Sequence, residues 1–169
     1  GLSKKGWPVI LIEHQGSDSN AFREVLKGKE ALPGGAEIFL YRIKDLDEVI
    51  KAHTNGYFGF KRKSYILMGH SLGSLISFLY EGNLPQKGFE SRCDNALTDF
   101  ALTNLSKLLQ CQLIEIPIPE LNNSSNLKAI VGFNSFGNLI WPTNNSSGIK
   151  VPTLLIGGTY DLITPLLSE

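Results

Sequence analysis

The sequence predicts an α/β fold, with a mostly parallel sheet and helices on both of its faces. Short apolar runs alternate with amphipathic stretches of helical period, a pattern typical of parallel sheets. At one point where an apolar run is followed by an amphipathic stretch, the sequence contains a Gly-x-Ser-x-Gly motif. The 169 residues match the length of one domain, so we expect a single domain over 1–169.

Five apolar runs end at glycine, proline or polar residues and are predicted strands. They cover residues 7–14, 37–41, 65–68, 128–133 and 151–156. Predicted helices follow several of them. One starts after Asp18 or Ser19, either of which is suited to cap it, and a second covers 45–52. A third starts at Leu72, has one apolar stripe through Tyr80 and ends near Gly82.

Residues 83–126 interrupt this alternation. They contain an amphipathic stretch over 94–113, which is flanked by prolines. We expect a helical cap insertion that covers the carboxyl edge of the sheet. A helix that only packs against the rest of the domain is the alternative.

The composition excludes several classes of partner. The 16 basic and 16 acidic residues give no net charge, so nothing indicates binding to nucleic acid or to an anionic membrane surface. No apolar run approaches the roughly 20 residues of a membrane span. The location stays open between cytoplasmic and exported, and the expectation of a small-molecule partner comes from the motif described below.

Cys93 and Cys111 are too few and too far apart for a zinc site, and we expect no metal and no cofactor. The two cysteines are interpreted either as a disulfide or as two buried thiols.

The motif Gly69-His70-Ser71-Leu72-Gly73 lies where a predicted strand meets a predicted helix. A serine on such a sharp turn has its hydroxyl clear of the sheet and close to the free N–H groups of the helix. We predict a positive φ at Ser71, which makes it the candidate nucleophile. We also expect close backbone packing to require a glycine on each side of it.

A serine nucleophile needs a base, an acid that orients the base, and donors for an oxyanion. Asp161 follows the predicted strand 151–156 and is the candidate acid, with helix capping as the alternative role. The oxyanion donors are predicted to be the N–H of Leu72 and that of Gln15 or Gly16.

The three histidines are not predicted to supply the base. We expect His14 to hold its own turn by hydrogen bonds, with proton transfer as the alternative. His53 is expected at the surface, and His70 is expected to pack beneath the turn that carries Ser71.

These residues resemble the α/β-hydrolase fold and, within it, bacterial proteins described as predicted dienelactone hydrolases, which are similar to platelet-activating-factor acetylhydrolases. Five segments carry the resemblance: 8–14, 69–73, 104–111, 127–134 and 151–161. The resemblance implies a serine esterase with Ser71 as nucleophile and Asp161 as acid. Dienelactone hydrolases have cysteine at the nucleophile position, whereas this chain has Ser71, so short acyl or lipid-like esters are the expected substrates.

The catalytic histidine of that family follows the acid, and none of residues 162–169 is a histidine. We therefore expect a truncated hydrolase that lacks its base and the C-terminal part of the fold. An exposed sheet edge would then be available to pair with a second copy of the chain. The alternative is an inactive hydrolase-fold protein that acts as a binding or scaffold module.

Overall fold

The computed structural model describes residues 1–14, 18–29, 37–98, 105–119, 125–142 and 149–159. The chain forms two compact units, Gly1–Lys63 and Ser64–Glu169. Within the described residues, no helix has both the length and the apolar composition that crossing a membrane requires. The prediction of one domain with a cap insertion stays a prediction.

The described part of the first unit contains a short 3-10 helix over Leu2–Lys5 and the α-helices α1 over Ser19–Leu26 and α2 over Glu37–Thr54. The Oδ1 atom of Asp18 accepts hydrogen bonds from the N–H groups of Asn20, at 2.8 Å, and Ala21, at 3.0 Å. Asp18 therefore satisfies two of the N–H groups that a helix start leaves unpaired. The cap of α1 is thus Asp18 rather than Ser19.

The predicted strand over 37–41 is wrong, because these residues form the start of α2. One stripe of buried side chains runs along this helix: Phe39, Ile43, Leu46 and Ile50. Their spacing of four, three and four residues is that of a helix face. A short apolar run resembles a strand in isolation, and here it is the first turn of a longer amphipathic helix. The predicted helix over 45–52 is confirmed within α2.

The predicted strand over 7–14 is also not found. These residues have no regular secondary structure, and most of their apolar side chains are exposed, with Leu11 at 91%. A strand is stable only beside another strand, which takes up its backbone hydrogen bonds. The described part of the first unit offers no second strand.

The second unit contains a parallel sheet of β1 over Tyr65–His70, β2 over Leu127–Phe133 and β3 over Thr153–Ile156. The strand order is β1-β2-β3, and both pairings are parallel. Three predicted strands and their parallel arrangement are confirmed. At the carboxyl edge of the sheet, His70 pairs with Phe133, which pairs with Ile156.

Helix α3, over Leu72–Tyr80, packs against β1 and β2. Every side chain from Ser74 to Tyr80 is buried, and Leu75 and Leu79 are fully enclosed. The opposite face of the sheet carries exposed apolar side chains, those of Ile66, Met68, Leu154 and Ile156. In the described part of this unit, helical cover is therefore found on one face of the sheet, not on the predicted two.

The insertion contains α4 over Phe89–Thr98 and α5 over Leu105–Cys111. The predicted single amphipathic stretch is therefore divided between two helices, and residues 99–104 lie outside the described part. A disulfide joins Cys93 on α4 to Cys111 at the end of α5. The pairing that the sequence left open is thus a disulfide.

The residues beside the disulfide hold the loop that follows β2. The guanidinium Nε of Arg92 donates to the carbonyl of Leu139 at 2.6 Å, and the N–H of Leu139 donates to the Oε1 atom of Gln110 at 2.9 Å. Gln110 is fully buried. The carbonyl of Leu139 is therefore held from α4 and its N–H from α5, and the disulfide connects these two helices.

We expect loss of the disulfide to destabilise the second unit. A cross-link that spans 18 residues contributes about 3 kcal/mol, mainly by restricting the unfolded chain. The C93A/C111A variant should show that decrease in the free energy of unfolding, measured by urea denaturation. A dithiol reductant should have the same effect on the native chain and no further effect on the variant. A change below 1 kcal/mol would mean that α4 and α5 are held by packing alone.

Candidate functional site

Ser71 lies between β1 and α3, at the N-cap of the helix. Its φ is 51° and its ψ is −118°, a backbone conformation that residues other than glycine rarely adopt. The predicted positive φ is confirmed. Strain of this kind persists only where the surrounding structure imposes it, and it is concentrated at functional sites.

Backbone hydrogen bonds fix this conformation on both sides of Ser71. Its N–H donates to the carbonyl of Phe133 at 2.8 Å, and its own carbonyl accepts from the N–H of Ser74 at 2.9 Å. Among the described residues, the hydroxyl of Ser71 makes no hydrogen bond that caps α3. An N-cap serine usually accepts a hydrogen bond from an N–H group of the first helical turn, and in the described part of the chain the Ser71 hydroxyl does not do so.

Close packing explains the glycine before Ser71. A Cβ atom on Gly69 would lie 2.2 Å from the carbonyl carbon of Gly73 and 2.4 Å from the nitrogen of Ser74. These are backbone atoms, so they cannot move aside as a side chain could. At Gly73 itself, an added Cβ would meet no described atom within 4 Å. The expected packing requirement is confirmed at Gly69 and not at Gly73.

A second close approach joins α3 to β2, and the sequence reasoning missed it. The hydroxyls of Ser74 and Ser135 are 2.6 Å apart, and Ser74 is fully buried. A Cβ on Gly132 would lie 2.4 Å from the hydroxyl oxygen of Ser74. A lone glycine within a strand was the available signal, because it often marks a close approach.

The N–H of Leu72 is the first of the helix N–H groups and lies directly after Ser71. The first N–H groups of a helix have no partner within the helix and lie at the positive end of its dipole. The predicted donor is therefore placed at the start of α3, beside the candidate nucleophile. Gln15 and Gly16, the other predicted donors, lie outside the described residues.

The carboxyl ends of β1, β2 and β3 meet at one edge of the sheet, because the strands are parallel. Ser71 follows β1 and Asn134 follows β2 at this edge, while residues 157–159 follow β3. Asp161, the candidate acid, comes two residues after Thr159 and lies outside the described part. Its predicted proximity to Ser71 stays a prediction.

Asn134 connects two of these strand ends. Its backbone N–H donates to the carbonyl of Ile156 at 2.7 Å, and its Oδ1 atom accepts from the N–H of Gly158 at 3.1 Å. Its φ is 45°. The sequence reasoning missed this residue, because an asparagine after a strand reads as an ordinary turn residue.

The histidines differ from two of the three expectations. The Nδ1 atom of His14 lies 2.7 Å from an Asp45 carboxylate oxygen on α2. The turn that His14 is expected to hold includes residues 15–17, which lie outside the described part, so that expectation stays a prediction. His53 is buried rather than at the surface, with its Nε2 atom 3.1 Å from the carbonyl oxygen of Lys63. His70 is exposed, so it does not pack beneath the turn as expected.

The described residues contain no group of three or more histidine, cysteine, aspartate or glutamate side chains that could hold a metal ion. Comparison with protein-family models, with curated proteins and with solved structures finds no match to this chain.

The two glycines of the motif should respond differently to substitution. We expect G69A to lower the free energy of unfolding by at least about 3 kcal/mol, since overpacking against backbone forces the strand and helix apart. G73A should leave stability unchanged or raise it by up to about 1 kcal/mol, because alanine favours a helix. Urea denaturation of both variants measures the difference. Equal destabilisation by the two changes would contradict the packing that the structure shows.

Proposed function

We propose that this protein is a serine hydrolase of the α/β-hydrolase type, which cleaves carboxylic esters through an acyl-enzyme on Ser71. The observation that carries the proposal is the backbone of Ser71. A serine with positive φ, directly between a parallel strand and the helix that follows, matches the strained turn on which such enzymes hold their nucleophile.

In the proposed reaction the Ser71 hydroxyl oxygen attacks the ester carbonyl carbon, and a histidine base accepts the hydroxyl proton. The tetrahedral intermediate has its negative charge near the N–H of Leu72, with a second donor from Gln15 or Gly16. The C–O bond to the alcohol then breaks, and the base returns its proton to the leaving alcohol. The base then takes a proton from water, and the water oxygen attacks the carbonyl carbon of the acyl-enzyme. The bond to the Ser71 oxygen breaks, the base returns the proton to Ser71, and the carboxylic acid product leaves.

The geometry of the sheet supports Asp161 as the group that orients the base. An acid for this nucleophile has to come from a loop at the carboxyl edge of the sheet, where Ser71 lies. Residues 157–159 leave β3 at this edge, and Gly158 is bonded to Asn134, so the loop that leads towards Asp161 starts at the edge where Ser71 lies. The order of serine and then acid along the chain also agrees with such hydrolases.

The base is the member of the triad with the least support. In such hydrolases it follows the acid, and the histidines of this sequence are His14, His53 and His70. His53 is buried, and its Nε2 atom is close to the carbonyl oxygen of Lys63. His14 has an Asp45 partner of the kind that orients a catalytic imidazole, so it is the residue that the test has to address.

A fluorophosphonate probe tests the proposal, because it forms a covalent bond with an activated serine. We expect one adduct, mapped to Ser71 by mass spectrometry, and its loss in the S71A variant. Ser91 on α4 is exposed, so S91A is the matched control and should keep full labelling. Labelling that persists in S71A, or no labelling in any form of the protein, would exclude the proposed function.

Hydrolysis of p-nitrophenyl acetate then locates the base. We expect the protein to hydrolyse the ester and the S71A substitution to lower its kcat by roughly 10⁴- to 10⁶-fold. Loss of hydrolysis in H14A would identify His14 as the base, and unchanged hydrolysis in H14A would mean that another group accepts the proton.

A further inference from the structure

Asn134 has a backbone conformation that restricts which residues fit. Its φ of 45° lies in the left-handed region, where glycine is free and asparagine and aspartate are tolerated better than other residues. It is the first residue after β2, the middle strand of the described sheet. The position therefore favours a short side chain with an acceptor, independently of any role in catalysis.

Asn134 is bonded once to the end of β3 and once to the loop that follows it. The N–H of Asn134 donates to the carbonyl of Ile156, and the Oδ1 atom of Asn134 accepts from the N–H of Gly158. The first bond continues the ladder between two strands. The bond from the N–H of Gly158 lies beyond β3 and uses the side chain of Asn134, so only a residue with a side-chain acceptor at position 134 can make it.

The neighbouring residue connects the same strand end to the nucleophile. The carbonyl of Phe133 accepts the hydrogen bond from the N–H of Ser71. Residues 133–134 thus contact Ser71 on one side and residues 156–158 on the other. The end of β2 therefore connects Ser71 with Ile156 and Gly158.

We propose that Asn134 is a positioning residue: its side-chain oxygen holds Gly158, in the loop that leads from β3 towards the candidate acid Asp161. The inference rests on the proposed function, since it assigns Asn134 a part in that reaction. A misplacement of about 1 Å in a catalytic group costs on the order of 10²-fold in rate. Loss of one bond that restrains the acid's loop should therefore reduce kcat more than it affects binding.

Two substitutions separate the side-chain bond from the backbone conformation. Glycine adopts the positive φ without strain and lacks the acceptor, so N134G removes the bond to Gly158 and spares the fold. Aspartate keeps an acceptor oxygen in the same place and also tolerates this φ, so N134D is the conservative variant. Circular dichroism of both variants checks that they fold.

The experiment measures kcat and KM for p-nitrophenyl acetate, and the hydrogen exchange of the Gly158 amide by NMR. We expect N134G to lower kcat by roughly 10- to 100-fold with KM within about threefold of the parent, and to speed exchange at Gly158 at least about tenfold. N134D should keep kcat within about threefold and keep the amide protected. The kinetics use the form of the protein that hydrolyses the ester.

Failure of this inference is distinguishable from failure of the proposed function. If S71A abolishes hydrolysis but N134G leaves kcat within twofold, Ser71 is the nucleophile and Asn134 does not position its partners. Equal losses in N134G and N134D would also overturn the inference, because the acceptor oxygen would then be irrelevant. If S71A retains hydrolysis or the protein has none, the function fails and the role of Asn134 in it fails with it.

Discussion

The contact between Gly69 and the backbone of Gly73 and Ser74 is the constraint on which the rest of the candidate site depends. The chain reverses from β1 into α3 within the single residue Ser71, and the two elements approach so closely that no Cβ fits at Gly69. The strained φ of Ser71 follows from this approach, as does the position of the Leu72 N–H at the helix start. Overpacking at this point would therefore disturb the nucleophile and its oxyanion donor together.

The second unit extends this constraint outward through polar contacts between strand ends. Ser71 is bonded to Phe133, and Asn134 is bonded to Ile156 and Gly158. Further along the same loop, Arg92 and Gln110 hold Leu139 from two helices that the disulfide joins. The segment after β2 is thus held at Asn134 and again at Leu139, the kind of support that a preorganised site at the carboxyl edge of the sheet requires.

The sequence predicted the part of the fold in which local pattern and tertiary context agree. β1, β2 and β3 are short apolar runs, and the stripe of α3 has a clear helical period, so each could be assigned before the structure was known. The turn at Ser71 was predictable as well, because the glycine spacing reflects a local steric requirement. The failures have a different origin. Residues 37–41 belong to a helix whose period extends beyond the short run. Residues 7–14 have no neighbouring strand among the described residues of their unit, and a strand forms only beside another strand.

The contacts of the site that the sequence did not reveal are all long-range. Asn134, Ser135 and Gln110 act on residues more than twenty positions away, and no local spacing links an asparagine at 134 to a glycine at 158. The disulfide was left open for the same reason, since a separation of 18 residues allows a bond without requiring one.

A crystal structure of the protein after reaction with an alkyl fluorophosphonate tests the central claim most directly, because the adduct imitates the tetrahedral intermediate. The account predicts phosphorus bonded to the Ser71 hydroxyl oxygen, with the phosphoryl oxygen about 2.7–3.1 Å from the N–H of Leu72. It also predicts that Ser71 keeps its positive φ in the adduct. An adduct on another residue, or a phosphoryl oxygen that faces away from Leu72, would contradict it.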